Sequence, residues 1–264
     1  MKIRRQHPRV LLVLLCAMLA LPTAALAGSG PGAGAGPGSG SGGVGAPGGG
    51  GTGQGGPPSP TPVPGSGTGT VTSNGSGISL QAYASAMLAR GISFTGTAAG
   101  RTGDTIEIER SGHETSWQWT PTTHATVAGN GSFSAFWPAN HIGRFAIRAV
   151  TTSSGAHAAS VTPAMTITVY RPSIATWYGP GSYGTRTACG VKLTPTTLGL
   201  ANRTLPCGMR VALDYQGRTL VVPVIDRGPY ANGADWDLTR PIARALGMEV
   251  TGKAIIGAVS LPTG

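Results

Sequence analysis

From Gly28 to Gly77 the chain carries no charged side chain and consists of Gly, Pro, Ser and Thr with a few Ala, Val, Gln and Asn. Such a segment offers too little apolar surface to offset the entropy of ordering it, so it reads as a disordered linker. It holds half of the chain's 44 glycines, which leaves the rest of the 264 residues with an ordinary globular composition. As a flexible coil of about 50 residues it spans on the order of 40 Å, and more where Pro57 to Pro64 stiffen it. A folded core must therefore be built from residues beyond Gly77.

The residues before the linker have a different character. Lys2, Arg4, Arg5 and Arg9 precede an apolar run from Val10 to Leu21, then Pro22 and the small residues Ala25 and Ala27. That order is the signature of a secretory signal peptide over residues 1–27. The run of about twelve apolar residues is shorter than the roughly 20 a membrane-spanning helix needs. Cys16 lies inside it and leaves with it. The formal net charge of +10 includes the four basic residues of this segment, and the remainder is spread without a basic run. A nucleic-acid partner is thereby disfavoured, while weak attraction to an anionic surface is retained. Export leaves Cys189 and Cys207 as a pair in an oxidising compartment, and a disulfide is expected between them. Closing that loop contributes roughly 3 kcal/mol in a chain-entropy account. After Arg171 the chain has no His and only these two Cys, so no metal and no cofactor are expected.

Residues 78–171 show alternating patterns. The spacing of Leu80, Tyr83, Met87 and Leu88, between Ser79 and Gly91, predicts a short helix from Leu80 to Arg90. Beyond it, Thr105–Glu109, Ser132–Phe136, Arg144–Arg148 and Met165–Tyr170 alternate with a period of two, and Asn130-Gly131 marks a hairpin. Short strands at this spacing predict an immunoglobulin-like β-sandwich. Trp117, Trp119 and Trp137 read as its core or rim, or else as a face on which sugars stack. His113, His124, His141 and His157 lack metal-ligand spacing.

Residues 172–264 hold the chemistry. Five motifs occur in succession: Ala175-Thr176-Trp177-Tyr178-Gly179, Arg186-Thr187-Ala188-Cys189-Gly190, Asn202-Arg203-Thr204-Leu205-Pro206-Cys207-Gly208, Val221 to Tyr230 with Asp226-Arg227-Gly228-Pro229 inside it, and Trp236-Asp237-Leu238-Thr239. The last leads into a helix with Pro241 in its first turn and Gly247 as its stop, and a strand is expected from Ala254 to Val259. In this order the motifs resemble the rare lipoprotein A family, whose domain is a double-psi β-barrel shared with expansins and barwin-like proteins. The resemblance implies an all-β chain ending in a six-stranded barrel with a polysaccharide-binding groove. It also implies, from several bacterial members, a lytic transglycosylase acting on peptidoglycan. That reaction needs one carboxyl group, which protonates the leaving oxygen and then accepts the proton of the attacking 6-hydroxyl.

Five acidic residues lie beyond Arg171: Asp214, Asp226, Asp235, Asp237 and Glu249. Asp214 borders a hairpin tip and Glu249 comes after the helix, so both are expected to face solvent. Asp226 ends an apolar strand before a rigid turn, where apolar neighbours would favour a protonated carboxyl; the alternative is a carboxylate that caps the turn or pairs with Arg227. Asp237 corresponds to the aspartate of the expansin His-Phe-Asp motif, or is an acidic residue favoured by the helix N-terminus. Trp177, Tyr178, Tyr230 and Trp236 offer flat faces for sugar rings, or pack the core, and Arg227 is a further candidate contact with the glycan strand. Two departures from the lytic pattern stand out. Val191 occupies a position where lytic members often carry Glu, and Asn202 replaces a common His. Both weaken the enzyme reading, and Val191 together with the expected disulfide favours a second expectation, a wall-glycan binding module of expansin type that cuts no bond. Hydrolysis by Asp226 with Asp237 is a third.

Overall fold

The computed structural model describes residues 69–152 and 157–262. The signal segment and the linker as far as residue 68 lie outside the described residues. The first half of the described chain forms β1 (Thr70–Gly75), β2 (Ile78–Tyr83), β3 (Ser85–Met87), β4 (Ile92–Ala98), β5 (Thr105–Ser111), β6 (Thr120–Thr126), β7 (Ser132–Trp137), β8 (Gly143–Thr151), β9 (Ser160–Val161) and the start of β10 (Met165–Tyr178). One sheet runs β1-β2-β4-β7, and the facing sheet runs β10-β8-β5-β6, with β3 parallel to β10 and β9 beside β8. Alternation builds the layer between them: Leu80, Phe94 and Phe133 from the first sheet meet Ile106, Phe145, Ile147 and Ile167 from the second. Trp137 closes it edge-on to Phe145, with ring centroids 5.6 Å apart. Chain crossings between the sheets after β4, β6 and β7 give the immunoglobulin-type sandwich its topology.

Three local expectations are corrected. The predicted helix from Leu80 to Arg90 is absent, and β2 and β3 occupy that stretch. Ile78, Leu80 and Ala82 are buried while Gln81 and Tyr83 face out, so a period of two beats the helical spacing once β1 and β4 supply partners on both sides. Residues 70–75, assigned to the linker, form β1; the left-handed pair Ser76 and Gly77 makes the tight turn that returns it along β2. The Asn130-Gly131 turn joins strands of different sheets, because β7 pairs with β4 and not with β6.

The second half forms a closed barrel. Its strands are the end of β10, β11 (Leu200–Ala201), β12 (Arg210–Tyr215), β13 (Arg218–Asp226), β14 (Trp236–Thr239) and β15 (Ala254–Leu261). Going round the ring the order is β10-β15-β12-β13-β11-β14 and back to β10; β10–β14 and β11–β13 are parallel, the other pairings antiparallel. Closure leaves no unpaired sheet edge. Leu200, Val211, Leu213, Val222, Val224, Leu238 and Ile256 fill it. Helix α1 (Arg240–Leu246) begins with Pro in its first turn and stops at Gly247, where φ is 81°. Among the described residues no helix is long and apolar enough to cross a membrane.

β10 passes from sandwich to barrel as one strand. Around the junction Tyr170, Ala212, Val221 and Val259 form a small core of their own, with Met87, Ile142 and Leu261 packed on it. Gly257 makes this contact close: a methyl group there would lie 2.8 Å from Cβ of Tyr170 and 2.9 Å from Cε of Met87. Gly257→Ala is expected to destabilise the protein by about 1–3 kcal/mol in chemical unfolding, the cost of overpacking. An unchanged midpoint would show that the junction is loose.

Candidate active site

Three strands of the barrel bring the acidic residues together. In the parallel register of β10 and β14, Thr176 lies opposite Asp237, and its hydroxyl donates to Oδ1 of Asp237 at 2.8 Å. Tyr178, two residues further along β10, falls on the same face as Thr176. Asp226, at the end of β13, joins them: both carboxylates lie close enough to Tyr178 to raise the pKa of its hydroxyl, behind the larger effect of burial. That hydroxyl is buried and closes no hydrogen bond of regular geometry. Burial likewise pushes the Asp237 carboxyl up; the Thr176 hydrogen bond opposes this, and the charge of Asp226 adds to it.

Asp226 is held by backbone. Its Oδ1 accepts N–H bonds from Ala188 at 2.9 Å and from Arg227 at 2.8 Å. Its main-chain oxygen accepts from Asn202 N–H at 3.2 Å. The Arg227 guanidinium does not pair with the carboxylate; it donates to Sγ of Cys207 at 3.3 Å and to the Asp226 carbonyl at 3.4 Å. Cys189 and Cys207 are disulfide-bonded with Cα atoms 5.7 Å apart. Next to them, Cys189 N–H donates to Ile225 O and Gly208 N–H to Val224 O. The disulfide therefore clasps two loops onto β13, and one of those loops supplies the Ala188 N–H.

The aromatic candidates separate. Trp177 lies on the opposite face of β10 from Thr176 and Tyr178, packs against the barrel core and donates its indole N–H to Glu249 O at 3.0 Å. Trp236 alternates with Asp237 and turns inward, 9% exposed. Tyr230 is 77% exposed, on a loop that Arg203 staples by donating to Pro229 O and Ala234 O at 2.6 Å each. Asn202 caps its own turn, its Oδ1 accepting from Thr204 and Leu205 N–H. Val191 N–H donates to the Thr187 hydroxyl.

One expectation about the acids fails, that for Asp214, whereas Glu249 stays partly exposed. Asp214 is 8% exposed, and burial raises its pKa while the Gly217 N–H counteracts; the hairpin tip is so tight, with Gln216 and Gly217 both left-handed, that Asp214 already lies inside the paired region opposite Gly257. Glu249 is engaged by Arg244 and Arg240, which hold its pKa near 2. Sequence reasoning missed Thr176, the Ala188 N–H and Arg203 as groups that position the site. All three sit inside quoted motifs, but their partners come from segments remote in sequence.

Asp237 has a pKa above its unfolded value, so it binds its proton more tightly when folded, and stability falls as pH rises through that interval. Asp237→Asn, whose amide oxygen still accepts from Thr176, is expected to raise Tm at pH 8 relative to wild type. The gain should vanish at pH values low enough to protonate the native carboxyl; a pH-independent difference would contradict the assignment. Cys189→Ser with Cys207→Ser is expected to cost roughly 3 kcal/mol of stability and to speed hydrogen exchange at the Ala188 amide about tenfold or more beyond the global change. Equal acceleration at every amide would show that the clasp does not act locally.

Comparison with known proteins places the barrel. A family model described as "Lytic transglycolase" matches residues 172–257. The protein named "Probable endolytic peptidoglycan transglycosylase RlpA" of Synechocystis sp. is 42% identical over 100 residues, covering 37% of this chain and 30% of that protein. "Endolytic peptidoglycan transglycosylase RlpA" of Campylobacter jejuni is 36% identical over 83 residues, 31% of this chain and 30% of that protein, and the one of Yersinia pestis is 37% identical over 90 residues, 33% and 25%. The chain thus spans less than a third of the length of each of these three relatives. Among solved structures, a Streptomyces papain inhibitor is 25% identical, covers 34% of this chain and 93% of that one, and has a TM-score of 0.29. The family model covers about a third of the chain, and over residues 172–257 the closed six-strand ring and the five motifs in order resemble the double-psi β-barrel of the rare lipoprotein A family.

Proposed function

We propose that this is an exported, wall-associated lytic transglycosylase that cleaves the β-1,4 bond between N-acetylmuramic acid and N-acetylglucosamine in peptidoglycan. The observation that carries the reading is the Asp226–Asp237 pair. One carboxylate is fixed by backbone donors and free of ion pairing among the described residues, beside another whose burial favours its protonated form. The charge of Asp226 adds to the burial that favours a proton on Asp237. The match of the barrel to proteins named as endolytic peptidoglycan transglycosylases supports the same substrate class.

In this reading Asp226 is the acid and base. With Oδ1 occupied by two N–H donors, Oδ2 is the oxygen that meets the glycosidic bond. Its proton passes to the leaving oxygen as the C1–O bond breaks with its electron pair. The 6-hydroxyl of the muramic acid ring then bonds to C1, and its proton returns to Asp226. No water is consumed, and the product carries a 1,6-anhydro ring. Asp237 and the protonated Tyr178 hydroxyl shape the field around this step from beneath the sugar; Arg227 and Tyr230 flank the same turn. The signal segment 1–27 delivers the chain across the membrane, and the linker tethers the folded part within reach of the wall.

Val191 supports a second reading, since it brings no carboxylate where lytic relatives often carry one: a module that grips wall glycan without cutting it. Incubating the full chain with peptidoglycan glycan strands and analysing products by mass spectrometry separates the two. Wild type is expected to release 1,6-anhydro ends, and Asp226→Asn to lose about 10²–10⁴-fold of that activity. Pull-down on insoluble wall that survives Asp226→Asn, with no soluble fragments from wild type, would establish the binding module instead. New reducing ends would point to hydrolysis by two carboxylates.

A further inference from the structure

Sandwich and barrel enclose a cleft of about 940 Å³ between them, at the upper end of the roughly 300–1,000 Å³ typical of small-ligand sites. It lies beside the Asp226 site and does not include its carboxylates. Among the residues lining it are Trp117, Arg144 and Arg171 on one side and Asn202, Thr204 and Trp236 on the other.

Three features mark it as built for a ligand. Trp117 is 54% exposed and sits, with Ser116, in the left-handed region at φ 62° and 50°. Two consecutive residues other than Gly in that region are costly, and such strain persists where the surroundings impose it. Here the hydrogen bonds Ser116 N–H to His113 O and Trp117 N–H to Gly112 O lock the turn, so the fold spends conformational energy to present an indole face to the cleft. Trp236, 9% exposed on the opposite wall, has an indole N–H buried without an acceptor; a buried donor left without a partner forfeits its hydration and gains nothing in return. The third feature is charge. The one carboxylate of the lining, Glu114, is taken by Arg110 and by His141, each at 2.6 Å, while Arg171 is exposed and enters no ion pair among the described residues.

A flat indole, an unsatisfied N–H donor and an open guanidinium are together the contacts that a pyranose ring with an acetamido oxygen and a carboxylate would satisfy. We propose that this cleft binds a second segment of an acidic aminosugar chain, stacking a ring on Trp117 and pairing its carboxylate with Arg171, while a small movement of the Trp236 ring uncovers its sealed N–H to the acetamido oxygen. The inference deepens the reading of the barrel as glycan-acting and rests on it. Asn202 connects the two places, lining the cleft while its backbone N–H holds the Asp226 carbonyl at 3.2 Å. A strand gripped in the cleft is thus held next to the carboxylates, which suits cleavage within a chain better than trimming from an end.

The five tryptophans provide a direct readout. On the full chain carrying Asp226→Asn, indole N–H resonances are followed during titration with a tetrasaccharide of alternating N-acetylglucosamine and N-acetylmuramic acid bearing free carboxylates. The Trp117 and Trp236 signals are expected to shift together, while that of Trp137, bonded to Asn140 in the sandwich, stays in place. Arg171→Gln should weaken the affinity read at Trp236 about tenfold, as should replacing the ligand with neutral chitotetraose, and Trp117→Ala should weaken it by at least as much while Trp117→Phe retains most of it. Signals of Trp117 and Trp236 that do not move, or an affinity indifferent to both Arg171→Gln and ligand charge, would overturn the proposal. Cleft binding without 1,6-anhydro products from wild type would leave this site standing and remove the catalytic reading; products without cleft binding would do the reverse.

Discussion

A single strand, β10, ties the described chain together. Its first part completes the second sheet of the sandwich against β8, and its last part sits between β15 and β14 and closes the barrel. Because a strand is extended and stiff, the two halves share an axis and cannot swing like beads on a flexible linker. The Tyr170 core packs the inner side of that junction. This continuity sets both the placement of Thr176 and Tyr178 against Asp237 and the existence of a cleft whose walls come from both halves.

The site shows how a barrel arranges carboxylates with few charges to spare. Asp237 depends on a neighbouring strand for its one hydroxyl donor, Asp226 on loops for its backbone donors, and neither is neutralised by a guanidinium. Burial dominates the proton affinity of Asp237 and of Tyr178. The arginines that could have quenched the pair are engaged elsewhere: Arg227 lies against the disulfide, Arg203 staples the Tyr230 loop, and Arg240 and Arg244 hold Glu249. Cationic side chains serve as braces here, and the acidic pair keeps its chemistry.

The barrel is the part of the fold most legible in the sequence. Its motifs are dense with Gly, Pro, Cys and acidic residues whose roles are tied to particular turns, and the α1 caps, the β12–β13 hairpin and the cysteine pairing are all set by residues close in sequence. Less legible is the start of the sandwich, where Ile78, Leu80 and Ala82 satisfy a period of two and Leu80, Tyr83 and Met87 a helical one, and only partner strands decide between them. The site is legible in its acids and not in their supports. Thr176 reads as an ordinary strand residue until the parallel register sets it opposite Asp237. Trp177 and Tyr178 are adjacent in the chain and so point to opposite faces, a separation that the pleat dictates but aromatic content conceals. Asp214 reads as exposed because it borders a turn, yet a two-residue turn leaves its neighbours fully paired.

The clasp made by Cys189 and Cys207 bears on when the site exists as well as on how firmly it is held. With the two thiols reduced, the loop bearing the Ala188 N–H is held to β13 by hydrogen bonds alone, and one half of the support of Asp226 loses its covalent anchor. Oxidation of the two thiols thus completes the support of Asp226, and reduction takes away the covalent part of it.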